Sequence, residues 1–343
     1  MKILKLTLCL LLAALAPRLA QADIVGNYTA DANTPFLFHF DEAAGGTSTT
    51  NNGSKAGKAY SVNEVTASAT PATVTTMLGA AGYVNGATNF HNCMTNPTTG
   101  YEFGFDANNS GAYQGEGSAP CLDAVVMTNL NIGFGGQTPF TLEACVRPNQ
   151  IAAGTQEIIC TDSSAGSRAF QFRINAGTIQ FTFVTGGATM SGTIPPSGND
   201  AFVAGNWYHV AFTYDGTIGT IYWTLLNPTN GAAHIISTAT LAAIGTTQGA
   251  TTGPLIIGNE NRGNAGEQFL GSIDEVRISS VARGSGQMQF YSPLVTITAN
   301  PVSQNVDYNQ PVTFSVGASS QFPITAYQWR FNSNSIAGAT NNS

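Results

Sequence analysis

Apolar and polar positions alternate with a period of two along most of this chain. Tyr208, Val210, Phe212 and Tyr214 fall on one face of a segment whose other face carries Trp207, His209, Ala211 and Thr213, the pattern of a strand packed in a sheet, and Asp215-Gly216 marks the turn after it. The same alternation sets Phe36, Phe38 and Phe40 against Leu37, His39 and Asp41, and Phe140, Leu142, Ala144 and Val146 against Thr141, Glu143, Cys145 and Arg147. Strands at 170–174 and 179–184 flank Asn175-Ala176-Gly177, a hairpin signal because Asn and Gly accept positive φ. Leu255-Ile256-Ile257-Gly258 reads as a short buried strand, whereas the polar stretch 43–69 reads as a long surface excursion. Clusters of Gly, Asn, Thr and Ser separate these segments from residue 35 to 291, and no long helical period appears. The pattern predicts an all-β sandwich with one short helix at Gly286 to Tyr291.

Five of these segments stand in a recognisable order. They are Phe36-Leu37-Phe38-His39-Phe40-Asp41-Glu42 with Gly45-Gly46; Phe140-Thr141-Leu142-Glu143-Ala144; Trp207-Tyr208-His209-Val210-Ala211 with Tyr214-Asp215-Gly216; Ile257-Gly258; and Phe269-Leu270-Gly271-Ser272-Ile273-Asp274-Glu275-Val276-Arg277-Ile278. Together they resemble the concanavalin A-like, laminin-G-like jelly-roll domains of bacterial surface and secreted proteins, over most of residues 33–291. The resemblance implies a two-sheet jelly roll and a module that binds without cutting, with a glycan or an extracellular protein as its partner. The chain departs from the family at Cys145, where a Trp is usual, and at Asn51-Asn52-Gly53-Ser54, where an Asp-x-Ser-Gly turn is common.

After Pro293 the register changes. Segments 295–301, 310–316 and 327–332 resemble the first three strands of an immunoglobulin-like domain, with Trp329 as its buried tryptophan, but only about half of the roughly 100 residues of such a sandwich are present. The expected organisation is therefore a signal peptide at 1–22, a jelly roll at 23–291 and a partial immunoglobulin-like domain at 292–343, a piece of a longer protein.

Lys2 and Lys5, an apolar run from Leu6 to Leu15 and the small-residue site Ala20-Gln21-Ala22 have the layout of a secretory signal peptide cleaved after Ala22. That places the protein outside the cell or on its surface, and no later segment has the about 18 uninterrupted apolar residues of a membrane span. Losing Lys2, Lys5 and Arg18 takes the formal charge from −7 to −10, which argues against nucleic acid as a partner.

The remaining four cysteines favour two disulfides in an exported chain, Cys145 with Cys160 on strands read as consecutive and Cys93 with Cys121; four buried thiols are the competing reading. Asp41 at the end of the first strand and Asp274 on a late one are the candidate ligands of a structural calcium ion, against a reading as solvent-facing or Arg-paired aspartates. For a sugar, Trp223 is the candidate stacking ring and Asp162, Arg168, Asn261 and Arg262 the polar rim. Core packing competes for Trp223, and Trp207 reads as core.

No catalytic residue is assigned. Glycoside hydrolysis needs two facing carboxylates, whereas Asp274 and Glu275, as neighbours on a strand, are expected on opposite faces. Glu143 and Glu275 read as partners of Arg147 or Arg277. None of His39, His91, His209 and His234 belongs to a His-Glu-x-x-His or Gly-x-Ser-x-Gly motif. The alternatives to a glycan-binding module are a structural or protein-binding module, and an accessory domain of a polysaccharide-degrading enzyme.

Overall fold

The computed structural model describes residues 28–63, 72–73, 75–82, 92–96, 101–106, 138–151, 154–161, 170–183, 189–226, 232–241, 255–259, 267–288, 296–319, 327–332 and 334–342. The signal-peptide segment, Cys121, Asp162, Arg168, Asn261 and Arg262 lie outside the described residues. The chain divides into two compact units, one from Asp23 to Ser292 and one containing Pro293–Ser343.

The first unit is an all-β sandwich. Its strands are β1 (Phe36–Phe38), β2 (Ser48–Thr50), β3 (Lys58–Asn63), β4 (Ala72–Thr73), β5 (Ala80–Ala81), β6 (Asn92–Asn96), β7 (Tyr101–Asp106), β8 (Phe140–Pro148) and β9 (Thr155–Thr161), then β10 (Phe170–Asn175), β11 (Thr178–Phe183), β12 (Thr189–Thr193), β13 (Tyr208–Tyr214), β14 (Ile218–Leu225), β15 (Ile235–Thr240), β16 (Leu255–Ile257) and β17 (Gly271–Ser279). Sheet A runs β15-β14-β13-β8-β17-β6-β5, with β1 also on β17; sheet B runs β12-β11-β10-β9-β16-β7-β3-β2, with β4 on β3. The pairing of β1 with β17, Phe36 opposite Ile278, brings the first and last strands together.

The alternating apolar faces meet between the sheets. Phe212 of β13 and Phe181 of β11 stack across the gap at 3.8 Å, while Phe36 and Phe38 of β1 meet Phe105 of β7. Each buried Phe side chain contributes about 1.5–3 kcal/mol, so this aromatic layer is the main cohesive element. The β10–β11 hairpin turns on Ala176 and Gly177, at φ 45° and 81°, as the Asn-x-Gly signal requires.

Two expectations change. The polar stretch 43–69 contains β2 and β3, which extend sheet B through Ser48 opposite Tyr60 and Tyr60 opposite Gly104. In place of a helix at Gly286 to Tyr291 there is one 3₁₀ turn at Ser285–Gln287, and residues 289–291 lie outside the described set.

The second unit holds two short pairs, β18 (Thr296–Ala299) with β19 (Gly317–Ser319) and β20 (Arg330–Phe331) with β21 (Asn334–Ser335). Segment 310–316 forms no strand, and Trp329 is half-buried, its Nε1 donating to the Asn341 carbonyl. An immunoglobulin-like sandwich would cover the apolar side chains of these segments; here Ile297, Val312 and Phe331 are 50%, 42% and 57% exposed.

Candidate functional site

Sheet A carries its polar residues on the side away from the aromatic layer, and most of that outer face is covered. Ala211 of β13, Glu143 of β8 and Arg277 of β17 stand opposite one another in register, and His209, Cys145 and Asp274 form the next row. Glu143 pairs with Arg277 and, at 3.3 Å, with His209 Nε2, all three fully buried. Arg277 also donates to the Gln287 carbonyl and lies 5.8 Å from the centre of the Tyr28 ring. Burial pushes the Glu143 carboxyl up, but Arg277 and His209 outweigh it and hold the group below its usual range. Burial pushes His209 down, against the pull of Glu143. These side chains are a fully buried ion cluster beside Tyr28, without access for a substrate.

At the edge of that cluster β17 bulges. Asp274 stands opposite Cys145 and Arg277 opposite Glu143, so β17 inserts one extra residue, and Glu275 adopts φ 50°. The expected separation of Asp274 and Glu275 onto opposite faces therefore fails: the bulge turns Glu275 to the outer face, where its Oε2 accepts the Tyr28 backbone N–H at 3.0 Å. Its partner is His39, with Nδ1 2.9 Å from both carboxylate oxygens, rather than an arginine.

Asp41 and Asp274 flank the same strand, β6. The Asn92 N–H donates to Asp41 Oδ1 at 3.2 Å, and the Glu275 N–H donates to Asp274 Oδ1 at 2.9 Å. A Cβ on Gly82 would sit 2.5 Å from Asp274 Oδ2 and 2.6 Å from the Asn92 carbonyl oxygen, so the missing side chain leaves a cradle lined by oxygens. Hard oxygen donors suit calcium, though among the described residues no three His, Cys, Asp or Glu side chains form a cation-binding group. Calcium here would rely on backbone carbonyls beside the two aspartates.

Sheet B presents the more accessible polar face. Its outer side chains form one row through Ser48, Tyr60, Gly104, Ile256, Cys160, Gln171, Thr182 and Thr189, and another through Glu157, Arg173, Gln180 and Ser191. The second row, with Gln171 of the first, is a hydrogen-bonded ladder: Arg173 Nε donates to Gln180 Oε1 at 2.8 Å, Arg173 Nη1 to Gln171 Oε1 at 3.0 Å, Gln171 Nε2 to Glu157 Oε1 at 2.9 Å and Gln180 Nε2 to Ser191 Oγ at 3.2 Å. Glu157 is fully buried at its inner end, while Ser191, Thr189 and Thr193 are exposed at its outer end. Of the segments expected to carry the rim, Asp162 to Arg168 and Asn259 to Gln268, only Asn259, Glu267 and Gln268 are described. Asn259 begins the second loop and is drawn back across β9, its carbonyl accepting from Cys160 Sγ at 3.2 Å. Asn259 is 1% exposed, and among the described residues neither polar atom of its side-chain amide has a hydrogen-bond partner.

The tryptophans exchange the roles expected of them. Trp223 pairs with Val210 across β13 and β14 and so shares that residue's inward face; it is fully buried, stacks on Tyr208 at 4.3 Å and donates from Nε1 to the Asp200 carbonyl. No face of it is offered to a sugar. Trp207, read as core, lies on the outer face of sheet A, half-buried. The expected Cys145–Cys160 bridge is also overturned: β8 and β9 belong to different sheets, and Cys93, Cys145 and Cys160 are buried and form no disulfide among the described residues. Cys121, the partner expected for Cys93, lies outside the described residues. Burial, with Asp274 nearby, pushes the Cys93 thiol up to about 11.

The family model of the concanavalin A-like lectin/glucanases superfamily matches residues 122–289. Among curated proteins, none matches the chain. Of solved structures, the CBM40 of the Ruminococcus gnavus IT-sialidase, bound to α2,3-sialyllactose, is similar at 16% identity and a TM-score of 0.35, covering 45% of this chain and 82% of that one. The binding domain of botulinum neurotoxin serotype D is similar at 11% identity and a TM-score of 0.43, over 75% of this chain and 50% of that one. A mutant of Trypanosoma rangeli sialidase displaying trans-sialidase activity is similar at 13% identity and a TM-score of 0.43, over 75% of this chain and 33% of that one. No helix of the described residues is long and apolar enough to cross a membrane.

Proposed function

We propose that this chain is an extracellular, non-catalytic binding module whose partner is a glycan, and that the ligand lies on the outer face of sheet B. The observation that carries the reading is the ladder in which Arg173 and Gln180, both partly exposed, are braced by the buried Gln171, with hydroxyls from Ser191, Thr182 and Thr189 beside it. Side chains locked by one another present donors and acceptors at fixed spacing, which suits the hydroxyls of a saccharide. Asp162, Arg168, Asn261 and Arg262 supply the rim of this site. The match to a lectin and glucanase superfamily supports the fold on which it stands.

Catalysis has little to work with in the described part. Glu143 is spent on Arg277 and His209, Glu157 on Arg173 and Gln171, and Glu275 on His39. In the same proposal, Asp41, Asp274 and the Asn92 carbonyl hold a structural calcium ion, which when bound supplies cross-linking between β6 and the β17 bulge.

The test is retention on immobilised polysaccharides by affinity electrophoresis, together with an assay for reducing ends. Retention without release of reducing ends is expected. Retention by none would replace the glycan with a structural or protein-binding role, and release of reducing ends would make the chain an enzyme.

A further inference from the structure

The outer face of sheet A is buried row by row until its last row, which breaks the surface. There Arg147 of β8, Ser272 of β17 and Thr95 of β6 stand in register, with Trp207 at the entry to β13 beside them. Arg147 lies over the Trp207 ring at 5.1 Å, its Nη2 donates to Ser272 Oγ at 2.9 Å, and Ser272 Oγ meets Thr95 Oγ1 at 3.0 Å. Arg147 and Trp207 are both only partly buried.

Charge sets this arginine apart. The chain has 12 Lys and Arg against 19 Asp and Glu, so cations are scarce and carboxylates plentiful. Among the described residues of the sandwich, Arg173 pairs with Glu157, Arg277 with Glu143 and Arg283 with Asp31, whereas Arg147 has no carboxylate within ion-pair distance. Its contacts are a hydroxyl and an indole. Asp274 stands one row inward, and its Oδ1 is taken up by the Glu275 N–H.

We propose that Arg147 and Trp207 form a second binding site, on the sheet opposite the ladder, for a carboxylate-bearing saccharide such as a hexuronate. The guanidinium supplies a fixed fork for the carboxylate, the indole beneath it an apolar support for the fork and an edge for the sugar ring, and the Ser272 and Thr95 hydroxyls a polar margin. Tying Nη2 to Ser272 holds the fork over the ring before ligand arrives. A chain of net negative charge repels acidic glycans in general, so a stacked arginine with no carboxylate partner among the described residues marks a place where such a glycan is accepted.

The test follows the Trp207 indole N–H resonance of the full chain, assigned by its loss in Trp207→Phe, during titration with sodium D-glucuronate and in parallel with glucose. Glucuronate is expected to shift it saturably and glucose not to. Arg147→Gln should weaken the titration by at least about tenfold, as should raising salt from about 0.1 M to about 1 M, which shortens the Debye length from about 10 Å to about 3 Å. Gln180→Ala, on the other sheet, should leave it unchanged, which separates this site from the ladder. Absence of a saturable shift, an equal response to glucose, or wild-type titration of Arg147→Gln in a protein that melts as the wild type does would each overturn the proposal.

Discussion

Trp223 faces Val210 across the antiparallel pair β13–β14, and that register turns its indole into the core, onto Tyr208. Tyr222, one residue earlier, faces Ala211 and points outward. Two consecutive aromatics leave the phase of a strand open, and only the cross-strand partner decides it. Trp223→Ala should therefore act on stability, lowering it by about 3–5 kcal/mol as a large-to-small core substitution. Denaturant unfolding measures this; a midpoint like that of the wild type would put the ring back on the surface.

The buried pair of Glu143 and Arg277 should be costly to break and cheap to replace. Arg277→Leu leaves a buried carboxylate with only His209 and should destabilise by about 3–5 kcal/mol, while the double change Glu143→Leu with Arg277→Leu should recover much of the loss. A double variant as unstable as the single one would show that the arginine acts through its contact with Tyr28 and the Gln287 carbonyl instead.

Stability should fall on both sides of neutrality. His209 is held below its unfolded value of about 6.5, so as pH drops through that value the unfolded chain takes up a proton the folded chain refuses; Glu143, also lowered, adds its loss below about 4.3. Burial raises Glu275, which opposes this limb. On the alkaline side Cys93, pushed up to about 11, contributes stability that is complete below about 8.5 and lost as pH rises toward the folded value. Calorimetry across this range should find the highest melting temperature between about 6.5 and 8.5. His209→Gln should flatten the acid limb near 6.5, and an unchanged limb would exclude that residue as its source.

Much of the sandwich was legible because strands with one apolar face announce themselves: Phe36 to Phe40, Phe140 to Val146 and Tyr208 to Tyr214 all lie where the alternation puts them. Strands β2 and β3 were not, since Ser48–Thr50 and Lys58–Asn63 bury few large apolar side chains and sit at the edge of sheet B. The cysteine pairing failed for a topological reason: Cys145 and Cys160 lie on strands that follow each other in sequence but belong to different sheets. The bulge at Glu275 left no sign either, because a non-glycine residue occupies its left-handed position. The ladder on sheet B escaped notice because Gln, Thr and Ser at outward positions look like ordinary solvent-facing residues until the register aligns them.

Free thiols give a direct check of that topology. Peptide mapping of unreduced, alkylated protein should recover Cys145 and Cys160 as separate alkylated peptides after unfolding, and reductant should leave the melting temperature unaltered. A Cys145–Cys160 cross-linked peptide would contradict the sheet assignment.

Gly82 should not tolerate a side chain. In Gly82→Ala the new methyl would meet the Asn92 carbonyl and the Asp274 carboxylate, costing about 1–3 kcal/mol through overpacking. If calcium occupies this cradle, saturating ion at about 100 times its dissociation constant should add about 2.7 kcal/mol to the wild type and less to the variant. A melting temperature indifferent to both calcium and chelator would remove the ion from the account while leaving the steric prediction in place.

The most direct test of the central claim is affinity electrophoresis of wild type and Gln180→Ala on a panel of polysaccharides. Gln180 is partly exposed and bonds Arg173 and Ser191, so its truncation opens the ladder without touching the core. At least one polysaccharide should retard the wild type, with a dissociation constant in the millimolar to micromolar range, about −4 to −8 kcal/mol, and the variant should lose about tenfold of that affinity with its melting temperature preserved. Equal retardation of the two proteins would move the site off sheet B, and retardation of neither would contradict a glycan-binding module.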